Sequence, residues 1–160
     1  MIAFGEENLE IRYAGGPFLI RTIEDEYSLR FIIALPIEGP KESDMDDSET
    51  PEVNSLLADA IPIYPDINCV YEIEFKDYIL HMTRNESYCS WDDYEIRQGR
   101  YLVIFKRSRL LDCMPQMVIC GFAEALYPHG WKHYGVYCQM HSIDVISPTE
   151  PVIRPLIIRN

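Results

Sequence analysis

The sequence predicts a mainly β protein, an antiparallel sandwich or half-barrel with one short helix, formed as a single domain by residues 1–160. Short runs of β-branched and aromatic residues recur and end at glycine, proline or charged turns, which is typical of strands. The composition, 48% hydrophobic and 25% charged, excludes wholesale disorder and coiled-coil repeats. A chain of 160 residues fits one core, since domains usually contain about 100–200 residues.

Eight or nine strands are expected, from ten candidate segments. Residues 9–13 alternate apolar and polar side chains, and Gly15-Gly16-Pro17 separates them from residues 18–23, which predicts a hairpin. Residues 27–37 form a longer apolar run, and Pro36 is expected to end its hydrogen-bonded part because proline lacks an amide proton. The remaining candidates are residues 69–75, 78–82, 94–96, 101–105, 116–125, 133–138 and 142–146.

One helix is predicted over residues 51–61. Thr50 can cap it, Pro51 suits its first turn, and an apolar stripe recurs at helical spacing until Pro62 ends it. The stripe consists of Val53, Leu56, Leu57 and Ala60. Residues 107–114, before Pro115, form a weaker candidate for a second short helix.

The formal charge of −12 disfavours nucleic acid as a partner, because a phosphate backbone would be repelled. The N-terminus has no basic region followed by an apolar run, and no stretch reaches about 18 apolar residues, so neither a secretory signal nor a membrane span is predicted. Five cysteines without a CxxC pair argue against a disulfide scaffold or a structural zinc site. We therefore expect a cytoplasmic protein with reduced thiols, without metal or cofactor.

The charge is distributed unevenly. Residues 1–96 contain 22 acidic and 6 basic side chains, whereas residues 97–160 contain 4 acidic and 8 basic ones. The chain therefore has a strongly acidic front and a mildly basic back, and a basic protein is the natural partner.

Residues 38–52 form the most acidic segment, with seven carboxylates and one lysine. One interpretation is a solvated connection, and another is a docking surface that steers a cationic partner. Calcium binding is disfavoured, because Glu49 and Ser55 stand where an EF-hand loop needs glycine and glutamate. The candidate steering residues are Glu42, Asp44, Asp46, Asp47 and Glu49.

Two further acidic segments are present. Residues 24–26 are expected to form a hairpin tip. Residues 88–95 interleave aromatic side chains with carboxylates, and Trp91, Asp92 and Asp93 are the candidate anchors of a protein interface. The alternative is a loop that places Trp91 in the core beside exposed acids.

The histidines and cysteines give little support for catalysis. Pro128 and Gly130 argue against a helix that would place His129 and His133 together on a metal. His133 and Cys138 are five residues apart on a predicted strand and so face opposite sides. The sequence contains none of the GxSxG, P-loop, GxGxxG and HExxH motifs. The basic residues Arg97, Arg100, Lys106, Arg107 and Arg109 are expected at a hairpin edge or in a contact between opposite charges.

Residues 132–147 include an aromatic-rich strand, a polar turn and the run Ile143-Asp144-Val145-Ile146, and Glu150-Pro151 follow. This segment resembles the C-terminal strand pair of small bacterial immunity proteins, and residues 4–13 resemble their start. The resemblance covers about a fifth of the chain. It implies a cytoplasmic, non-catalytic inhibitor that binds the toxin domain of a polymorphic or contact-dependent inhibition system.

Acidity fits such a function, because toxins that are nucleases bind phosphate and are typically basic. The sequence therefore predicts an immunity protein that binds a basic toxin domain one to one and occludes its active site. Two alternatives stay open. One is a small-molecule-binding or enzymatic β-barrel with His81, His133, Cys138 and tyrosines in a polar interior, and the other is a self-associating adaptor.

Overall fold

A computed structural model describes residues 2–6, 16–39, 61–90 and 93–157. Within these ranges the chain is mainly β, which confirms the predicted fold class. The nine strands are β1 (Phe18–Glu24), β2 (Ser28–Glu38), β3 (Ile63–Lys76), β4 (Leu80–Asn85), β5 (Ile96–Gln98), β6 (Leu102–Arg107), β7 (Lys132–Tyr137), β8 (His141–Ser147) and β9 (Val152–Leu156). The helices are a 3-10 turn (Glu86–Tyr88), α1 (Arg109–Met117) and α2 (Cys120–Leu126).

The strands form two antiparallel sheets, neither of which closes on itself. The four-stranded sheet has the order β1-β2-β3-β9, and the five-stranded sheet has the order β4-β8-β7-β6-β5. β4 and β5 are thus the two edges of the larger sheet. β7 and β8 are joined by a hairpin, as are β5 and β6, in agreement with the alternation in the sequence.

The two sheets pack face to face and form a β sandwich. Side chains of β2 and β3, among them Phe31 and Phe75, share one core with side chains of β7 and β8, among them Tyr134 and Val145. The rings of Phe75 and Tyr134 meet edge to face with centroids 5.6 Å apart. Since successive side chains of a strand point to opposite faces, every second residue of these strands enters this core.

The alternate residues of β7 and β8 therefore lie on the outer face of the larger sheet. His133 pairs with Ile146, and Tyr137 pairs with Ser142. α1 begins over this face, because its N-cap residue Ser108 contacts His133. All five of these side chains are buried, so the outer face is partly covered and carries polar groups out of contact with water.

Several strand predictions need correction. β2 continues to Glu38, because a shift in register between Ala34 and Pro36 accommodates the proline. The turn after Lys76 is present, with Asp77 at a φ of 55°, but the chain crosses there to the other sheet, where β4 pairs with β8. β9 was not predicted, although Pro155 is compatible with its place at a sheet edge.

The helix predictions were right in one place and wrong in another. α1 confirms the weaker candidate but runs past Pro115 to Met117. Residues 116–125 do not form a strand: Gln116 and Met117 end α1, and residues 120–126 form α2. The segment Ala123-Glu124-Ala125-Leu126 consists of strong helix formers, and this local preference prevails over the apolar run before it. The predicted strand at residues 9–13 and the predicted helix at 51–61 lie outside the described residues.

Candidate functional site

Most of the predicted partner-binding residues lie outside the described ranges. These are Glu42, Asp44, Asp46, Asp47, Glu49, Trp91 and Asp92. Asp93 is described, and its side chain is exposed. The two interpretations of Trp91 therefore both stay predictions.

Tyr94, the residue after Asp93, is held against the basic edge of the larger sheet. Its hydroxyl donates a hydrogen bond to Asp112 in α1, and Arg107 Nε donates to its carbonyl oxygen at 2.6 Å. The guanidinium groups of Arg107 and Arg109 lie 4.6 and 4.8 Å from the centre of its ring. The exposed residue Asp93 thus directly precedes a tyrosine that is held by an acidic and two basic side chains.

The acidic residues 24–26 form the turn between β1 and β2, as predicted. The hydroxyl of Tyr78 donates to the Glu24 carboxylate at 2.6 Å, and together with the nearby charge of His81 this hydrogen bond lowers the pKa of Glu24. His81 belongs to β4, so the acidic turn lies beside one edge of the larger sheet. The basic residues of β5 and β6 lie at the opposite edge of this sheet.

A chain of four polar side chains crosses the outer face of the larger sheet. Arg84 donates to Asp144 Oδ2 through Nε at 3.1 Å and through its terminal nitrogen at 2.7 Å. His133 Nε2 lies 3.0 Å from Asp144 Oδ1, and His133 Nδ1 lies 2.8 Å from Ser108 Oγ. Burial opposes the charge of Arg84, but the Asp144 carboxylate outweighs this and raises the pKa of Arg84.

This hydrogen-bond chain selects the tautomer of neutral His133. An ionised carboxylate only accepts hydrogen bonds, so the proton of neutral His133 lies on Nε2, and Nδ1 accepts from the Ser108 hydroxyl. Ser108 Oγ in turn accepts from the backbone amide of Leu111, which caps α1. The ring of His133 stacks on Phe105, with centroids 3.9 Å apart. Each of the four side chains has a hydrogen-bond partner, and together they join α1 to three strands.

Ser, His and Asp in hydrogen-bonded sequence suggest a hydrolase triad, but the geometry does not fit one. Ser108 is 0% exposed and His133 is 2% exposed, so no substrate carbonyl reaches the hydroxyl. The hydroxyl also serves as the cap of α1. The arrangement is therefore a means of holding α1 on the sheet.

Cys138 is buried in the core between the sheets, whereas His133 lies on the outer face, which confirms that the two face opposite sides. Burial raises the pKa of the Cys138 thiol to about 12. Since the thiolate is the reactive form, this thiol is a poor nucleophile at neutral pH.

Thiol alkylation of the folded protein tests the low reactivity of Cys138 directly. At pH 8 a thiol with a pKa of about 12 has roughly one molecule in 10⁴ ionised, so Cys138 is expected to react at least 1000-fold more slowly than exposed Cys113. Mass spectrometry of time points locates each adduct. Comparable rates for the two thiols would contradict the burial of Cys138.

The polar interior proposed for a catalytic barrel is not assembled in the described part of the chain. Cys138 lines a surface pocket with Tyr101 and Tyr137, but His81 and His133 do not line it. Nor do the described residues bring three or more His, Cys, Asp or Glu side chains into an arrangement that could hold a metal. None of the described helices is long and apolar enough to cross a membrane.

An exposed apolar surface on α2 was not predicted from the sequence. We define this α2 surface by Met117, Ile119, Phe122 and Leu126. Ile119 is 81% exposed and Phe122 66% exposed, while Ala123 is the one described side chain of α2 that is buried. Phe122 and Leu126 are four residues apart in α2 and so share one helix face, and Ile119 is the residue that precedes this helix. Such patches on a folded domain commonly mark contact sites for another protein.

Comparison with known protein families, curated proteins and solved structures found no match to this chain. The proposed function therefore rests on the sequence and on the contacts described above.

Proposed function

We propose that this chain is a cytoplasmic immunity protein that binds a cognate basic toxin domain one to one and occludes its active site. The observation that carries the proposal is the α2 surface, an apolar patch exposed on a strongly acidic domain. The resemblance of residues 132–147 to the strand pair of immunity proteins points to the same class of inhibitor.

The α2 surface has the composition of an interface centre. Large apolar side chains supply most of the binding energy at protein interfaces when they become desolvated against a partner. Ile119 and Phe122 are exposed in the free protein, and burying each in a partner removes apolar area worth about 1.5–3 kcal/mol from water. The surface therefore offers anchoring contacts that do not depend on charge.

The net charge of −12 supports a basic partner. Clustered carboxylates attract a cationic protein over several ångströms and raise its association rate. Residues 42–49 carry the densest charge, and Glu24, Asp25 and Glu26 add a second acidic site at the β1–β2 turn. A nuclease toxin presents its positive charge at its phosphate-binding active site, so electrostatic attraction directs the inhibitor to the surface that must be blocked.

Co-expression tests the proposal. The tagged chain is used to capture a basic protein domain from its native lysate, and that domain is then expressed alone and together with the chain. We expect the domain to arrest growth alone and the chain to restore growth. A captured domain that is harmless alone, or that arrests growth equally with the chain present, contradicts immunity.

The acidic segment is expected to act on association rather than dissociation. Replacing Glu42, Asp44, Asp46, Asp47 and Glu49 by their amides changes the net charge from −12 to −7. We expect the association rate with the basic domain to fall by about tenfold or more at low salt, with the dissociation rate changed by about twofold at most. Stopped-flow or surface binding kinetics measured across salt concentrations give both rates. An association rate that is unchanged and insensitive to salt removes this segment from the mechanism.

A further inference from the structure

A surface pocket of about 380 Å³ lies at one end of the larger sheet, beside the β5–β6 turn, the β7–β8 turn and the 3-10 turn. Its volume is at the lower end of the range found for small-molecule sites. The residues that line it include Glu86, Arg97, Arg100, Tyr101, Gln139 and Ser142. Most of their polar side chains are hydrogen-bond donors, and the one carboxylate, Glu86, is exposed.

Backbone hydrogen bonds hold the walls of this pocket. The amide of Tyr137 donates to the carbonyl of Tyr101, and the amide of Gln139 donates to the carbonyl of Pro17, each at 2.8 Å. The amide of Glu86 donates to the carbonyl of Met140 at 3.1 Å. The pocket is therefore formed before any ligand arrives, which lowers the entropy cost of binding.

Two hydroxyl groups in the pocket have no partner among the described residues. Ser142 is 0% exposed, and its Oγ accepts and donates no hydrogen bond; the hydroxyl of Tyr101 is likewise buried without one. A buried polar group without a hydrogen-bond partner destabilises a folded protein. Both hydroxyls belong to residues that line the pocket, and an acceptor group bound there is the partner that the described residues do not supply.

The charged groups indicate the sign of that ligand. Arg97 and Arg100 bring two guanidinium groups to the pocket, and the Arg100 group lies 4.9 Å from the centre of the Tyr101 ring, which holds it in place. Guanidinium groups match the oxygens of phosphate and carboxylate. A phosphate monoester carries nearly two negative charges and three acceptor oxygens, which suits two cations and two hydroxyl donors better than a carboxylate does.

We propose that this pocket binds the phosphate group of a small phosphorylated molecule, with Arg97, Arg100, Ser142 and Tyr101 as its donors. The exposed carboxylate of Glu86 disfavours a second anionic group at the mouth, so the remainder of the ligand is neutral. This site is separate from the α2 surface, and its test does not depend on the proposed immunity function.

The test is a titration of the isotopically labelled protein, first with inorganic phosphate and then with the monophosphate of a neutral sugar. NMR shifts of the backbone amides are recorded at each concentration, at constant ionic strength. We expect saturable shifts at Gln139, Ser142 and their neighbours, tighter for the sugar phosphate. Acetate and chloride serve as control anions. Shifts that do not saturate, or that acetate produces equally, overturn the phosphate assignment.

Variants locate the site. Arg100→Gln is expected to weaken binding at least 10-fold and Ser142→Ala at least 3-fold. Lys106→Gln, which removes the same charge from an exposed side chain of β6 that does not line the pocket, leaves the affinity unchanged. Ser142→Ala removes an unpartnered hydroxyl, so its fold is retained and loss of affinity reports on the ligand contact. Equal loss with Lys106→Gln, or full affinity with Ser142→Ala, contradicts the proposed site.

Discussion

Replacing Asp144 by alanine is expected to lower the free energy of unfolding by about 3–5 kcal/mol, because it breaks a buried ion pair and leaves its partners unpaired. His133 is 2% exposed and loses the acceptor of its Nε2 proton, while Arg84 keeps part of its contact with water. In a domain of this size the melting temperature falls by about 2–4 °C for each kcal/mol. Urea unfolding followed by fluorescence measures the change.

Two further variants distinguish the effect of removing a negative charge from the effect of removing the buried hydrogen-bond acceptor. Asp93→Ala removes the same charge from an exposed site and is expected to change stability by at most about 0.5 kcal/mol. Asp144→Asn keeps the shape of the side chain and one acceptor oxygen. We therefore expect it to lower the free energy of unfolding by an amount between those for Asp93→Ala and Asp144→Ala. If the free energy of unfolding of Asp144→Ala is within about 1 kcal/mol of the wild-type value, the hydrogen-bonded side chains around Asp144 do not hold α1 on the sheet.

Phe122→Asp and Ile119→Asp are each expected to weaken binding of the basic toxin domain by about 30-fold or more, since residues at an interface centre commonly contribute at least 2 kcal/mol. Both side chains are exposed in the free protein, so the fold is retained. Isothermal titration calorimetry with each variant measures the affinity, and unchanged melting temperatures show that folding is intact.

Met140→Asp provides the control for these two variants. Met140 is 69% exposed between β7 and β8, outside the α2 surface, and the same substitution there adds the same charge. We expect it to retain wild-type affinity. Wild-type affinity in Phe122→Asp and Ile119→Asp would exclude the α2 surface from the interface. If instead these variants abolish a salt-sensitive self-association and no other partner binds, the adaptor alternative is favoured.

Much of the fold could be predicted because alternation along a strand is a local property. The hairpins β5–β6 and β7–β8 were found this way, since their turn residues and apolar faces are adjacent in sequence. The crossover after Asp77 was not predictable from such signals, because the pairing of β4 with β8 joins residues 56 to 66 positions apart. The segment at α2 was misassigned because its apolar residues fit either period over so short a length.

The candidate sites depend more strongly on distant contacts. Asp144 stands inside an apolar strand, and a buried acid there requires a partner, but nothing in the sequence indicates Arg84 or Ser108. Arg97 and Arg100 were interpreted as the charged edge of a hairpin, which they are, yet they also line one pocket with Ser142, although β6 and β7 separate β5 from β8 in the sheet. The exposure of Phe122 follows from how little of α2 the sandwich covers, which only the packed structure decides.

A titration of the captured toxin domain's activity with the purified chain measures inhibition directly. We expect the activity to fall in proportion to added chain and to be lost at one equivalent, and we expect Phe122→Asp to shift this curve to higher concentration. Full toxin activity in the presence of a tenfold excess of the wild-type chain would contradict the proposed immunity function.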